Sequence, residues 1–505
     1  MNFSKLTSAT LILATTSLFS RLLGLIRDRL LASNFGASGN LDCYFASFRI
    51  PDLLFNFLIL GALSSAFIPI FTDFLAKNKE EKAWEIASTI LNFVVISLIF
   101  LGGSVFLLAP YLVILIAPGF DSTRLALTTS LTRIMLLSPL FFGISSIFGG
   151  ILTSYKKFFA YAIAPIFYNL GIISGILILV PIFGIYGLAL GVIFGALLHL
   201  LVQLPAVIST GFKFKFCLNL KEPTILKIFY LALPVTLGLI ISQLNLTVDT
   251  IIGSTLKSGS VAVLNFASNL MSLPMGIIGI SFAIPCFPLL AEASALKKNS
   301  EFATYFSLTL RRILFFILPA TVLMIVFRAQ IVRLILGTGK FDWQDTILTL
   351  KTLGYFSLGL VGFSTVPLLA RGFYAIKDTL TPVKIGFFAL IINLIGNLVF
   401  SRFLGVAGLA LASALAALFN AFALLFILGK IIPELDLTKI FSSGVKYLSV
   451  SLLTGILAYW GLFLFDPFFD THTVLGLFGQ TIFAFGFAAI FYLIFSFLLG
   501  FKELL

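Results

Sequence analysis

The 505-residue chain is 60% hydrophobic and only 10% charged, with a mean hydropathy of +1.13, which excludes a soluble globule of this length. Its net charge of +13 could suggest a nucleic-acid partner, but the basic residues sit in short loops between apolar runs, a pattern that reports membrane orientation instead. Cys43, Cys217 and Cys286 are scattered, and His199 and His472 have no acidic residue adjacent to them, so a disulfide framework or a zinc site is not expected.

Apolar stretches of about 20 residues recur along the chain, the length that crosses a bilayer as a helix. They predict an all-α polytopic membrane protein with fourteen spans, at about 7–33, 43–74, 84–117, 126–154, 159–181, 184–208, 225–252, 261–294, 303–328, 344–374, 380–402, 405–429, 440–465 and 474–500. The first apolar run resembles a signal segment, but it lacks a small-x-small cleavage site and runs on into Arg21, so it reads as part of a retained span. Pro69, Pro139, Pro165, Pro274, Pro285 and Pro367 fall inside spans, where neighbouring helices can re-satisfy the backbone. Lys5, Lys77, Lys79, Lys82, Lys156, Lys157, Lys213, Lys215, Lys221, Lys227, Lys297, Lys298, Lys377, Lys384, Lys430, Lys439 and Lys502 fall on one side of the membrane, while Arg124, Lys257, Arg333, Lys340 and Arg402 fall on the other. This bias predicts that both termini are cytoplasmic.

The stretch from Ser20 to Phe55 breaks the apolar pattern with Arg21, Arg27, Asp28, Arg29, Asp42, Arg49 and Asp52. An ionised side chain at mid-bilayer costs roughly 2.5–3.5 kcal/mol on insertion scales, so these are functional candidates. Arg21 and Asp28 share a helix face at seven residues' spacing and could pair, as could Arg21 and Asp42. Arg29 lies near enough to the span's end for snorkelling.

Four segments recur at an offset of 219–222 residues. Tyr44-Phe45-Ala46-Ser47 returns as Asn265-Phe266-Ala267-Ser268, Ala37-Ser38-Gly39 as Lys257-Ser258-Gly259, Phe67-Ile68-Pro69 as Cys286-Phe287-Pro288, and Gly184-Ile185-Tyr186-Gly187 as Gly405-Val406-Ala407-Gly408. A constant offset points to two parallel copies of a six-helix unit, a transporter arrangement with its site near the midplane between them. The expected organisation is therefore two pseudo-symmetric six-helix lobes, 1–210 and 211–430, followed by two further helices in 431–505.

In the second copy the equivalent of the first span carries Ser242, Gln243, Asn245 and Asp249 instead of arginines, which leaves Asp249 as a lone intramembrane carboxylate. Asn393 and Asn397, one helical turn apart, and Ser413 could join it as oxygen ligands for a hard cation such as Na⁺, or could simply glue helices together. No Walker loop, G-x-S-x-G or H-E-x-x-H motif is present, so an enzyme or ATP-driven pump is not expected.

Seven motifs stand out: Ser20-Arg21-x2-Gly24-x2-Arg27-Asp28, Phe35-Gly36-Ala37, Asp42 through Arg49-Ile50-Pro51-Asp52, Gly61-Ala62 through Pro69, Ser258-Gly259-Ser260, Gly339-Lys340-Phe341, and Gly372-Phe373-Tyr374 through Lys384. Together they resemble those of the MurJ/MviN lipid II flippases of the multidrug/oligosaccharidyl-lipid/polysaccharide exporter superfamily. The likeness read this way runs from about residue 8 to residue 430, with the last two spans alike only in hydrophobicity and number. The resemblance implies fourteen helices in two lobes, in the bacterial cytoplasmic membrane. It also implies movement of lipid II, the undecaprenyl-diphosphate-linked disaccharide-pentapeptide, from the inner to the outer leaflet by alternating access for cell wall synthesis, by a monomer among membrane lipids.

On the same resemblance, Arg21 and Arg27 hold the diphosphate, while Asp28 and Asp42 orient those arginines or act in gating. Asp249, Asn393 and Ser413 match a Na⁺ site, with Asn397 where an aspartate can occur, and the two extra helices form a groove for the lipid tail. Three positions depart from the family pattern: Phe55 and Asn269 replace arginines, and Leu60 replaces a glutamate. Either Arg49 or another cation compensates, or the cargo is held more weakly, or it is a different polyprenyl-diphosphate glycan. A cation-coupled exporter of the superfamily and a non-transporting scaffold for wall synthesis are the competing readings.

Overall fold

In hydrocarbon a helix satisfies its own backbone polar groups, and the chain folds accordingly: among the described residues every regular element is helical. The structure is a computed structural model that describes residues 3–60, 67–501 and 503, without the side chains of residues 3–14, 59, 60 and 234. The Gly61–Ala66 part of the second-span motif, Lys502, and the side chains of Lys5 and Leu60 therefore lie outside what is described.

Among the described residues, eleven helices are long and apolar enough to cross a membrane, and twelve if the pair Trp343–Leu358 and Leu360–Ala375, bent by 43°, forms one span. They correspond to the third through fourteenth spans read from the sequence. The helix Phe3–Phe35 covers the first expected span and carries Arg21, Arg27, Asp28 and Arg29. The second is broken into Gly39–Ser47, Arg49–Phe55, a π-turn at Asn56–Leu60 and Ile68–Ala76. Large apolar side chains such as Phe100, Leu107 and Tyr111 stand exposed on Glu80–Ile116, a surface that a bilayer covers. The protein is thus an all-helical, multi-pass membrane protein.

The chain packs as two compact units, Met1–Ala262 and Val263–Leu505. In the first, Phe3–Phe35 lies along Phe158–Ser174, which packs in turn against Tyr186–Leu201. A core of Phe67, Phe71, Trp84, Ile147 and Phe148 fills the space beside them. The helix Pro223–Ser254 also packs here, against Arg49–Phe55, the π-turn and Glu80–Ile116. The packing boundary at 262 lies beyond the boundary near 210 expected from the sequence, because Pro223–Ser254 is held by the first unit. In the second unit, Leu380–Leu404 packs along Val406–Ile431, and Asn299–Val326 along Leu437–Phe465.

Backbone conformation repeats at the offset seen in the sequence. Gly184 has φ 57° and ψ −138°; Gly405, 221 positions later, has φ 59° and ψ −135°. Side-chain-bearing residues rarely adopt that region, so glycine is required at both helix ends. The non-glycine residues with positive φ form pairs at nearly the same spacing, Asn78 with Lys297 and Lys156 with Lys377. The π-turn at Asn56–Leu60 has a counterpart at Met275–Ile280.

Candidate functional site

The candidate residues of the first unit gather on three contacts. On the Phe3–Phe35 helix, Asp28 is almost fully buried and its Oδ1 accepts from Arg27 Nε at 3.0 Å and Nη2 at 2.8 Å. Arg27 Nη1 donates to Asn169 Oδ1 at 3.3 Å, and the Asn169 amide donates to the Ser20 carbonyl and hydroxyl and to the Pro165 carbonyl. The sequence reading missed Asn169. Its only signal was an amide between Pro165 and Gly171 in an otherwise apolar run.

A guanidinium has five N–H groups. Among the described residues, these bonds engage three of them, which leaves one N–H on each terminal nitrogen, donors of the kind that phosphate oxygens accept. Arg21 lies half-buried on the same helix.

The second contact is a clamp. Ser38 caps the Gly39–Ser47 helix by accepting from the Leu41 amide, which places Asp42 in its first turn. The Asp42 side chain, 2% exposed, accepts from the Gly259 amide at 2.6 Å and the Ala262 amide at 2.8 Å. These amides open the helix Ser260–Pro274, whose first N–H groups have no partner within the helix and favour an anion. Gly259 sits at φ 91°, and a Cβ there would lie 1.9 Å from the Ala37 carbonyl oxygen. Gly259→Ala is therefore expected to lower the thermal unfolding midpoint by several degrees in detergent, since strained backbone alone costs about 1–3 kcal/mol. An unchanged midpoint would refute the clamp geometry.

Next to the clamp, Asp121 caps the helix Ser122–Met135. Hydrogen bonds from the Arg124 amide and then its guanidinium hold the Asp121 carboxyl below the usual carboxylate range.

The third contact joins residues that the sequence reading had kept apart. Buried Arg49 donates through Nε to Thr250 Oγ1 at 2.8 Å, and the charges of Asp52 and Asp249 both act on its guanidinium. Asp249 thus stands beside a protein cation within the first unit. The position expected to hold an arginine, Phe55, instead packs its ring 5.7 Å from that of Phe142, which also meets Tyr168 and His199.

In the second unit, Asn393 Nδ2 donates to Ser413 Oγ at 3.0 Å and Asn397 Nδ2 donates to Asn393 Oδ1 at 3.1 Å. All three side chains are buried where Leu380–Leu404 packs on Val406–Ile431. Buried amide and hydroxyl oxygens are hard donors that fit Na⁺. Among the described residues, no group of three or more His, Cys, Asp or Glu side chains could hold a metal ion. Asn269 is half-buried on Ser260–Pro274.

A family profile described as lipid II flippase MurJ matches residues 31–498. The match includes the last two helices, which the motifs did not reach, and begins after Arg21, Arg27 and Asp28. A lipid II flippase MurJ of Burkholderia cenocepacia is 31% identical over 82% of this chain and 82% of its own. A probable lipid II flippase MurJ of Borreliella burgdorferi is 30% identical over 92% of this chain and 91% of its own. A solved structure of lipid II flippase MurJ in an inward closed conformation is similar with a TM-score of 0.81 and 27% identity, covering 97% of this chain and 99% of that one.

Proposed function

The chain belongs to the lipid II flippase MurJ family, and from that premise we propose that it moves lipid II from the inner to the outer leaflet of the bacterial cytoplasmic membrane by alternating access. The observation that carries this is the family match across residues 31–498. The family is one of transporters, not enzymes, and the peptidoglycan role follows from the cargo. The readings as an exporter of another polyprenyl-linked glycan, a cation-coupled drug exporter or a scaffold draw no support from these relatives.

In this proposal the protein has fourteen spans in two six-helix lobes plus two helices, with both termini cytoplasmic. The recurring backbone conformations at Gly184 and Gly405 and the lysine-rich side of the membrane support it. Arg27, held by Asp28 and Asn169, offers its remaining N–H pair to the diphosphate, with Arg21 adding charge. Arg49 contributes through its contact with Thr250, and Asp42 governs gating through its clamp on residues 259 and 262. The protein acts as a monomer among membrane lipids.

Na⁺ is the proposed coupling ion, with Asp249, Asn393, Asn397 and Ser413 as ligands. The buried amide chain supports this reading, while the proximity of Arg49 to Asp249 favours a second one, in which Asp249 is the counter-charge of Arg49. Purified protein in liposomes is expected to flip lipid II, and failure to do so would overturn the proposed cargo. With an imposed Na⁺ gradient, a stimulation that Asp249→Asn abolishes supports the ligand role. A stimulation that survives the substitution assigns Asp249 to Arg49.

A further inference from the structure

The helix Val474–Leu498 ends at a glycine, Gly500, with φ 63°, and the Phe501 amide turns back to the Ser496 carbonyl. This helix-ending turn aims the following residues back into the second unit. The Phe501 ring is buried against Tyr447, with centroids 4.9 Å apart at 75°, and against Phe315 at 6.3 Å and 89°. Tyr492 closes the cage: its ring lies 5.3 Å from that of Phe315, and its hydroxyl donates to the Phe315 carbonyl at 2.6 Å.

Two residues on, Glu503 Oε1 lies 3.0 Å from Arg311 Nη1, as an ion pair rather than an aligned hydrogen bond, with side chains 3% and 17% exposed. The Tyr447 side chain lies beside the same carboxylate. Arg311 and Phe315 belong to Asn299–Val326, Tyr447 to Leu437–Phe465 and Tyr492 to Val474–Leu498.

We propose that this aromatic cage with its cation is a receptor site for a Phe-x-Glu segment, occupied here by the chain's own Phe501 and Glu503, and that the segment is a releasable strap. Seated, it adds to the packing of Leu437–Phe465 on Asn299–Val326 and ties in the end of the last helix. Released, it lets the cytoplasm-facing end of that pair shift against Asn299–Val326 during the transport cycle. One short segment touches all three helices at once, an aromatic knob supplies shape, and a carboxylate facing an arginine supplies direction. The hold is also small, one ring and one ion pair, with Arg311 still reached by solvent, so it can open without unfolding a helix. The inference rests on the proposed lipid II transport and adds a moving part to it.

The test joins Tyr447→Cys and Phe501→Cys with a reducible thiol crosslinker, in a protein whose Cys43, Cys217 and Cys286 are replaced by serine. Lipid II flipping in liposomes is expected to fall at least about tenfold on crosslinking and to return with reductant. Unchanged flipping in the crosslinked protein would overturn the strap. Absence of flipping in the reduced and wild-type proteins alike would instead overturn the transport reading.

A second arm needs no transport. Spin labels at the exposed positions Lys298 and Phe497 are expected to give a broader distance distribution in Glu503→Gln than in the wild type. An unaltered distribution in Glu503→Gln counts against the strap.

Discussion

Arg27→Lys is expected to leave the protein in the membrane at normal level while slowing lipid II transport by roughly 10–100-fold. The buried Asp28 carboxylate is held by two N–H groups of Arg27. Removing that cation outright, as in Arg27→Ala, would leave an unpaired buried charge, which typically costs about 3–5 kcal/mol and would confuse misfolding with lost function. Lysine keeps a cation beside Asp28, but it is a point charge without the planar fork. It therefore cannot hold Asp28 and Asn169 while presenting two parallel N–H groups to a diphosphate.

One charge-assisted hydrogen bond is worth about 1.5–3 kcal/mol, and each 1.4 kcal/mol is a factor of ten, which sets the expected range. The measurement is the initial flipping rate in liposomes at matched protein density, alongside growth rescue of a strain depleted of its own flippase. Arg27→Ala combined with Asp28→Asn removes both charges, and it should restore protein level without restoring transport. Wild-type rates for Arg27→Lys would remove Arg27 from the substrate site.

Much of this site was readable because charge is costly in lipid. Arg27, Asp28 and Asp42 stand out in an apolar sequence without any structure, and so does the constant offset that pairs Ser38-Gly39 with Ser258-Gly259. The partners were not readable. Asn169 meets Arg27 across 142 residues and Thr250 meets Arg49 across 201, and an amide or hydroxyl in a membrane helix bonds its own backbone too often to announce a distant contact. The sequence offered Arg21 two partners, Asp28 by its spacing along one helix and Asp42 as an acid on the next. Spacing cannot show that Asp28 would accept from its neighbour Arg27, or that both oxygens of Asp42 would face backbone amides.

The span count shows the same limit. Hydropathy finds long uninterrupted helices, whereas the second span is broken at Phe48 and again by a π-turn. Breaks of this kind frequently mark functional places in helices, and here they lie beside Arg49 and Asp52.

The clamp yields the second large effect. Asp42→Asn is expected to reduce growth rescue and lipid II flipping by about 10–100-fold at unchanged protein level, and Asp42→Ala to abolish rescue. The Asp42 carboxylate accepts the Gly259 and Ala262 amides with separate oxygens. In the asparagine variant one oxygen becomes an NH₂ group facing a backbone N–H, so one bond is lost and two donors meet. With each such bond worth about 1.5–3 kcal/mol, the arrangement that clamps the Gly39–Ser47 helix to the start of Ser260–Pro274 loses a stabilisation of that order. An equilibrium between clamped and released arrangements then moves by a factor of about 10–100.

A transporter working by alternating access needs both arrangements within reach, so a shift of this size stalls the cycle in the released one. Asp42→Glu separates charge from geometry. It keeps the anion at the helix N-terminus but adds a methylene where the helix start is fixed by Gly259 packed on Ala37, so partial activity is expected. Full growth of the Asp42→Ala strain would show that the clamp is structural trim rather than part of the gate, and hydrogen exchange at residues 259–262, expected to quicken in both Asn and Ala variants, would tell whether the bonds themselves had been present.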